Sequence, residues 1–330
     1  MNDAASVQTV TVTAPARLHL GFLDLHGGLG RRFGSVGLAI GAPRTRLTVR
    51  AASHAEVTGA ERERVLAHVD TLHQALGLEG AHRVHVEEAI PAHAGLGSGT
   101  QLALALAAGL RSLHALPPDP AGDALRLARG ARSGVGVGLF ERGGLVVDGG
   151  HGATTGMAPI LSRIPFPPHW RVLIVLDPAR QGLHGSGEVE AFARLRQFAE
   201  TSAAQLCRLV LMQALPSLAE RDLRNFGAAI MAMQQILGDY FAPMQGGRRF
   251  TSPDVEACVH ALQRAGAHGV GQSSWGPTGF AFAESAEQAD RLARLVRPDA
   301  RGLDIRVCAG LNHGADITAR ATAEAPVAGR

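Results

Sequence analysis

The chain of 330 residues contains no lysine, so all 32 of its Lys/Arg residues are arginine. This excludes a Schiff-base lysine, a pyridoxal-phosphate anchor and the lysine of a Walker A loop. Bound phosphate must then be held by arginine, by backbone N–H groups or by a metal. Cysteine is scarce. Cys207, Cys258 and Cys308 stand about fifty residues apart with no C-x-x-C pair, which reads as three small core residues in a reduced, cytoplasmic setting. Long apolar runs are missing too. The longest, Leu102–Leu110, is nine residues ended by Arg111, against about twenty for a membrane span. The start, Met1-Asn2-Asp3, has neither the basic nor the apolar segment of a signal peptide. A net charge of +3 is too small for a nucleic-acid footprint. Neither nucleic acid nor membrane is expected as a partner.

What is present describes a globular chain, with 46% hydrophobic and 18% charged residues. Its length suits two domains. The density of Pro159, Pro165, Pro167 and Pro168 places their boundary near residue 158, giving domains 1–158 and 159–330. Period-two alternation predicts strands at 7–13, 17–25, 36–40, 44–51 and 83–88. Helical spacing predicts helices at 60–76, 101–115 and 123–131. In the second half, helices are expected near 190–215, 217–237, 253–265 and 286–297, with strands at 171–176, 268–273, 279–282 and 302–309. This order indicates an α+β fold. The Ala-rich stretch after Arg320 reads as a loose tail.

The stretch Gly95-Leu-Gly97-Ser98-Gly99-Thr100 has the chemistry of an anion cradle at the start of a long apolar helix. Glycine allows close backbone approach and positive φ. The helix start offers unpaired N–H groups and the positive end of its dipole. Ser98 and Thr100 add hydroxyl groups.

With Pro91 before it, this stretch resembles the second motif of the GHMP superfamily of kinases, departing from it at Gly99, where those kinases usually have serine. Ala14-Pro15-Ala16-Arg17-Leu18-His19-Leu20 resembles the N-terminal motif, with Arg17 where a lysine is common. Gly271-Gln-Ser273-Ser274-Trp-Gly-Pro-Thr-Gly279 resembles the C-terminal glycine motif. The resemblance implies a GHMP-kinase-like two-domain α+β fold with the active-site cleft between the domains. The aspartate that serves such kinases as catalytic base has no counterpart in Arg132-Ser133-Gly134-Val135-Gly136, where Gly136 takes its place.

Further blocks resemble the β-ribofuranosylaminobenzene 5′-phosphate synthase family: 17–25, 28–31, 34–38, Arg129-Gly-Ala-Arg132-Ser-Gly-Val-Gly, Phe140-Glu-Arg-Gly-Gly and Asp148-Gly-Gly-His151. That resemblance implies condensation of 5-phosphoribosyl 1-diphosphate with 4-aminobenzoate or 4-hydroxybenzoate, with loss of CO2 and diphosphate, at the entry to tetrahydromethanopterin. It implies Mg²⁺ as cofactor and a homodimer. An ATP-dependent kinase or a non-catalytic sugar-phosphate sensor is the alternative.

Candidate catalytic residues are Arg17, His19, Asp24 and Arg31. The last two flank the turn His26–Gly30, and either contact anion and metal or ribose, or form a surface ion pair. Gly95, Gly97, Ser98, Gly99, Thr100, Arg132, Ser133, Gly134, Ser273 and Ser274 are candidates for substrate binding. Asp148 and His151 are candidates for metal, with a capped hairpin turn the alternative. His184, Glu188 and Glu190 read as an ordinary helix start or as a lid. Trp275 reads as a stacking partner for the aromatic acid or as a core residue.

Overall fold

Apolar residues recur at every even position from Val10 to Phe22, and all seven are buried. This period of two makes a long strand with one face inward. In the computed structural model, which describes residues 7–183 and 185–322, it is β1 (Val7–Asp24). It pairs antiparallel with β2 (Arg31–Ala52). Each unites two stretches that the alternation separates. Pro15 interrupts the pattern without ending the strand, because the register shifts between Pro15 and Ala16.

The first sheet also takes β3 (Glu56–Gly59), β4 (Ala81–Glu88), β5 (Leu145–Asp148), β6 (His151–Gly152) and β7 (Ile160–Ile164). Its helices are α1 (Arg62–Leu76), α2 (Ser98–Leu113), α3 (Pro120–Arg126) and α4 (Val135–Arg142). Leu102, Leu104, Leu106 and Leu110 of α2 lie against Val10, Val12, Leu47 and Val49 in one buried cluster. Truncating any one of these leucines to alanine costs about 2–5 kcal/mol in such a core.

The second sheet is antiparallel. It contains β8 (Arg171–Leu176), β9 (His268–Gln272), β10 (Gly279–Ala283) and β11 (Asp304–Ala309), in the order β11-β8-β10-β9. Around it lie α5 (Gly185–Arg194), α6 (Glu200–Leu209), a π turn at Val210–Ala214, α7 (Leu215–Glu220), α8 (Leu223–Phe241), α9 (Pro253–Arg264) and α10 (Ala286–Val296). Phe166, Trp170, Phe226, Phe280 and Phe282 are fully or almost fully buried and join the two sheets' cores with Leu18, Leu20 and Leu38.

Several expectations are corrected. The first sheet runs past residue 158, where the domain boundary is expected. β7 pairs with β5, so the first sheet continues to Ile164. The chain then returns: β12 (Asp316–Thr322) pairs with β1 along its first seven residues. The stretch after Arg320 is thus strand to Thr322, and the rest of the expected tail lies outside the described residues. Val135–Arg142 forms α4, although glycine at 136 and 138 disfavours a helix by about 1 kcal/mol each. Packing decides here. A Cβ on Gly138 would lie 2.8 Å from Ile160 Cδ1, and one on Gly136 would lie 2.9 Å from Thr100 Cγ2. Cys258 and Cys308 are buried, but Cys207 is exposed, since α6 turns Ala203 and Leu206 inward instead. No helix among the described residues is long and apolar enough to cross a membrane.

Candidate active site

Three separated segments meet at one place, and their hydrogen bonds show how. The backbone N–H of Arg17 on β1 donates to the Leu96 carbonyl (3.1 Å). The backbone N–H of His19 donates to Ser273 Oγ (3.0 Å), and that hydroxyl donates to the Gly95 carbonyl (2.8 Å). Thr278 Oγ1 donates to the Ala94 carbonyl (2.7 Å), and the Ser274 N–H to the His19 carbonyl (3.3 Å). The N-terminal strand, the glycine turn and the C-terminal glycine motif are thereby locked together.

Between them lies a cavity of about 350 Å³, within the usual size of a small-molecule site. Arg17, Arg64, His93, Gly95, Gly97, Ser98, Gly99, Thr100 and Arg129 line it from one domain. Gly182, Leu183, Gly185, Glu188, Ser274, Trp275 and Gly276 line it from the other. The expected cleft between domains is therefore present.

Each cradle glycine has a specific reason. Gly97 precedes α2 with φ +77°, and a Cβ there would stand 2.6 Å from Arg17 Cγ. Gly95 has φ +81° and no room for a Cβ against the Ser273 carbonyl. A Cβ on Gly99 would lie 3.1 Å from Arg129 Nη1. Gly95 and Gly97 thus make space for protein atoms as well as permitting positive φ. Gly136 lies beside Thr100 and Arg17: its Cβ would be 3.8 Å from Arg17 Nε.

Electrostatically the cavity is under-neutralised. Arg17 Nε and Nη1 are buried without a hydrogen-bond partner among the described residues. Burial lowers the pKa of that guanidinium, opposed by the charges of Glu188 and Asp148. Burial also lowers that of Arg129, helped by the neighbouring charge of Arg64. Glu188 is paired with Arg132 at 2.7 Å, and the Arg132 guanidinium sits 5.1 Å over the Phe192 ring. Glu188 therefore belongs to the first turn of α5 and also ties α5 to the opposite domain. Glu190 is exposed, and His184 lies outside the described residues.

Other expected site residues serve elsewhere. His19 is buried and does not line this cavity, its ring 4.6 Å from that of Phe22. Burial and the nearby Arg17 charge push its pKa down to about 3. Asp24 accepts from the backbone N–H groups of His26 (2.7 Å) and Gly27 (2.8 Å). Arg31 donates to the carbonyls of Gly149 (2.8 Å) and Gly150 (2.7 Å). Asp24 and Arg31 neither pair with each other nor line this cavity. They fix two adjacent turns, because a short turn leaves backbone groups that only side chains reach.

Asp148 is not disposed as a metal ligand. It is fully buried, and its carboxylate accepts from the N–H groups of Gly134 (2.8 Å), Val135 (3.2 Å) and Gly150 (2.9 Å) and from Ser133 Oγ (3.1 Å). It anchors the N-terminus of α4. Ser133 and Gly134 are taken up in that anchor. His151 Nε2 is buried without a hydrogen-bond partner, and no group of three metal-ligating side chains forms among the described residues. Asp148→Asn is expected to cost about 2–4 kcal/mol of stability, since an amide turns donors against donors. Urea unfolding checks this. Unchanged unfolding together with lost Mg²⁺ affinity would restore the metal role.

Trp275 is a core residue that also borders the cavity. It is buried at 4% exposure against Phe241 and Phe192, with ring centroids 4.5 and 5.5 Å away, and it lines the cavity. Arg64, Arg129 and His93 were not legible as site residues. Arg129 stood inside a family block, whereas Arg64 looks like any charged residue on an amphipathic helix.

Comparison with known proteins agrees with this geometry. The models for the GHMP kinases N terminal domain and GHMP kinases C terminal match residues 63–141 and 214–297. A beta-ribofuranosylphenol 5'-phosphate synthase from Archaeoglobus fulgidus is 30% identical, over 82% of this chain and 87% of its own length. One from Methanothermobacter thermautotrophicus is 29% identical, over 92% and 97%. The crystal structure of homoserine kinase from Cytophaga hutchinsonii superposes with a TM-score of 0.66 at 18% identity, covering 94% of this chain and 97% of that one. That likeness concerns the fold alone.

Proposed function

The chain belongs to the beta-ribofuranosylphenol 5'-phosphate synthase family, and on that premise we propose that it condenses 5-phosphoribosyl 1-diphosphate with 4-hydroxybenzoate or 4-aminobenzoate, releasing CO2 and diphosphate. The observation that carries this reading is the pairing of Arg17 with Gly136 at the glycine cradle. A phosphoryl transfer to a hydroxyl needs a base there. A diphosphate departure needs cations and N–H donors instead.

In the reaction the bond from ribose C1 to the diphosphate oxygen breaks, and diphosphate leaves with the electron pair. The ring carbon bearing the carboxylate bonds to C1. The bond from that carbon to the carboxylate then breaks, CO2 departs, and its electrons restore the aromatic ring. No protein nucleophile takes part, which suits a lysine-free chain with no cysteine in the cavity. The N–H groups at the start of α2 and the Arg17 guanidinium bind the departing anion. Trp275, in the cavity wall, would border the aromatic acid. The few oxygen donors here would suit Mg²⁺ held mainly by the diphosphate, since that ion keeps few protein ligands. The chain's oxygen donors around it would be Glu188, Ser98 and Thr100, and its chemistry is to neutralise charge on the leaving group. A cytoplasmic homodimer belongs to the same reading.

Carboxyl-labelled 4-hydroxybenzoate and 4-aminobenzoate test the proposal. Labelled CO2 is expected only with phosphoribosyl diphosphate and Mg²⁺ present, with no effect of ATP. Release that depends on ATP would return the protein to the kinase reading.

A further inference from the structure

Besides Arg17 the cavity holds Arg129, whose setting differs from that of Arg64 and Arg132 nearby. Arg64 is paired with Glu61 at 2.8 Å and Arg132 with Glu188 at 2.7 Å. Among the described residues Arg129 has no carboxylate partner, and its buried Nε has no hydrogen-bond partner. The side chain that receives it is a histidine: Arg129 Nη2 lies 3.5 Å from His68 Nε2. His68 is buried at 8% exposure on α1. A neutral imidazole can accept that N–H while leaving the guanidinium charge uncompensated. A carboxylate in the same place would neutralise it.

The position of Arg129 matters as much as its charge. Its Nη1 stands 3.1 Å from where a Gly99 Cβ would be, and the Arg17 stem crowds Gly97 two residues earlier. The start of α2 therefore has two guanidinium groups close to it, each with a buried nitrogen that lacks a partner among the described residues. The cluster combines two cations with a helix N-terminus. Of the two anionic ends of the sugar donor, the diphosphate carries the greater charge and suits it better.

We infer that Arg129 binds the diphosphate end of the donor opposite Arg17, and that His68 is a positioning residue that aims Arg129 without neutralising it. This assignment rests on the proposed synthase reading. It makes the 5-phosphate the end held elsewhere. His68 remains uncharged at neutral pH because burial, with the Arg129 and Arg64 charges, pushes its pKa down to about 4.

Binding of inorganic diphosphate and of ribose 5-phosphate to the purified protein, measured by calorimetry in the presence of Mg²⁺, tests the inference apart from turnover. Arg129→Gln is expected to weaken diphosphate binding by roughly tenfold to a hundredfold, the usual range for one charge-assisted contact, with ribose 5-phosphate binding changed by less than about threefold. His68→Gln, a neutral acceptor, should keep diphosphate binding close to that of the parent. His68→Glu should weaken it as Arg129→Gln does, with thermal stability kept or raised by the new ion pair. Diphosphate binding unchanged in folded Arg129→Gln, or an equal loss in His68→Gln and His68→Glu, would overturn the assignment. Arg129-dependent diphosphate binding in a protein that releases no CO2 would defeat the synthase reading and leave this one standing.

Discussion

Arg17→Met is expected to lower kcat/KM by about a thousandfold, roughly 4 kcal/mol of barrier, while leaving thermal stability equal or slightly higher. The two halves of that expectation have one cause. Arg17 Nε and Nη1 are buried and unpartnered among the described residues, so the folded protein bears their desolvation without a compensating bond. Burial accordingly lowers the pKa of the guanidinium. Methionine keeps the stem that fills the space beside Gly97 and removes the penalty. The anion that forms during the reaction then loses its closest cation beside the α2 start. Removing one preorganised donor to a developing negative charge typically costs about a hundred- to a thousandfold. Steady-state kinetics and thermal unfolding of the same preparation check both halves. A variant that unfolds well below the parent would make Arg17 a structural residue, and one with full turnover would move the diphosphate elsewhere.

Acidification is expected to unfold the protein steeply between about pH 6.5 and pH 4. Three buried histidines carry depressed pKa values: His19 about 3, His68 about 4 and His82 about 4, against 6.5 in the unfolded chain. Burial is the largest cause in each. At His82 the neighbouring His73 and His114 add to it, with ring nitrogens 2.8 and 2.7 Å from those of His82. The sign follows directly. Below about pH 6.5 the unfolded state takes up protons that the folded state refuses, so stability is full above that pH and falls as pH drops. Each group costs about 1.4 kcal/mol per pH unit, about 4 kcal/mol for three. Two such units remove about 8 kcal/mol, which exhausts a stability in the lower half of the usual range of about 5–15 kcal/mol. Asp148, whose pKa burial raises, opposes the trend as a single group. Calorimetric melting from about pH 7.5 to 4.5 should show the slope, and His82→Gln should reduce it by one proton's share. A melting temperature independent of pH over this interval would rule the account out.

How much of the molecule is legible in its sequence follows from how local each signal is. The strands and most helices are periodic over ten or so neighbouring residues, so their apolar faces can be read directly. The three motifs, two of them rich in glycine, are contiguous strings, so their order discloses the superfamily. Gly136 can be read as a missing base because it sits at a fixed spacing within such a string. The absence of lysine by itself narrows the phosphate-binding chemistry to arginine, backbone N–H groups and metal.

Other features depend on which distant segments meet, and a linear pattern does not encode that. α4 forms despite its glycines because Thr100 and Ile160 need the space that side chains there would occupy. β12 completes the first sheet from the far end of the chain because β1 has an edge to pair along its first seven residues. Asp148, in a turn with the look of a metal site, is claimed by four donors from 133–135 and 150 once β5 and α4 come together. Asp24 and Arg31 look like a functional pair across a glycine turn, and each is instead taken by backbone groups of the nearest turns. Arg129 becomes the second cation of the cradle only because α1 presents His68, sixty-one residues earlier in the chain, as its neutral partner. Residue type and spacing determined which groups were available. Burial and long-range closure decided which of them remained unpaired, and an unpaired buried charge is what a ligand can satisfy.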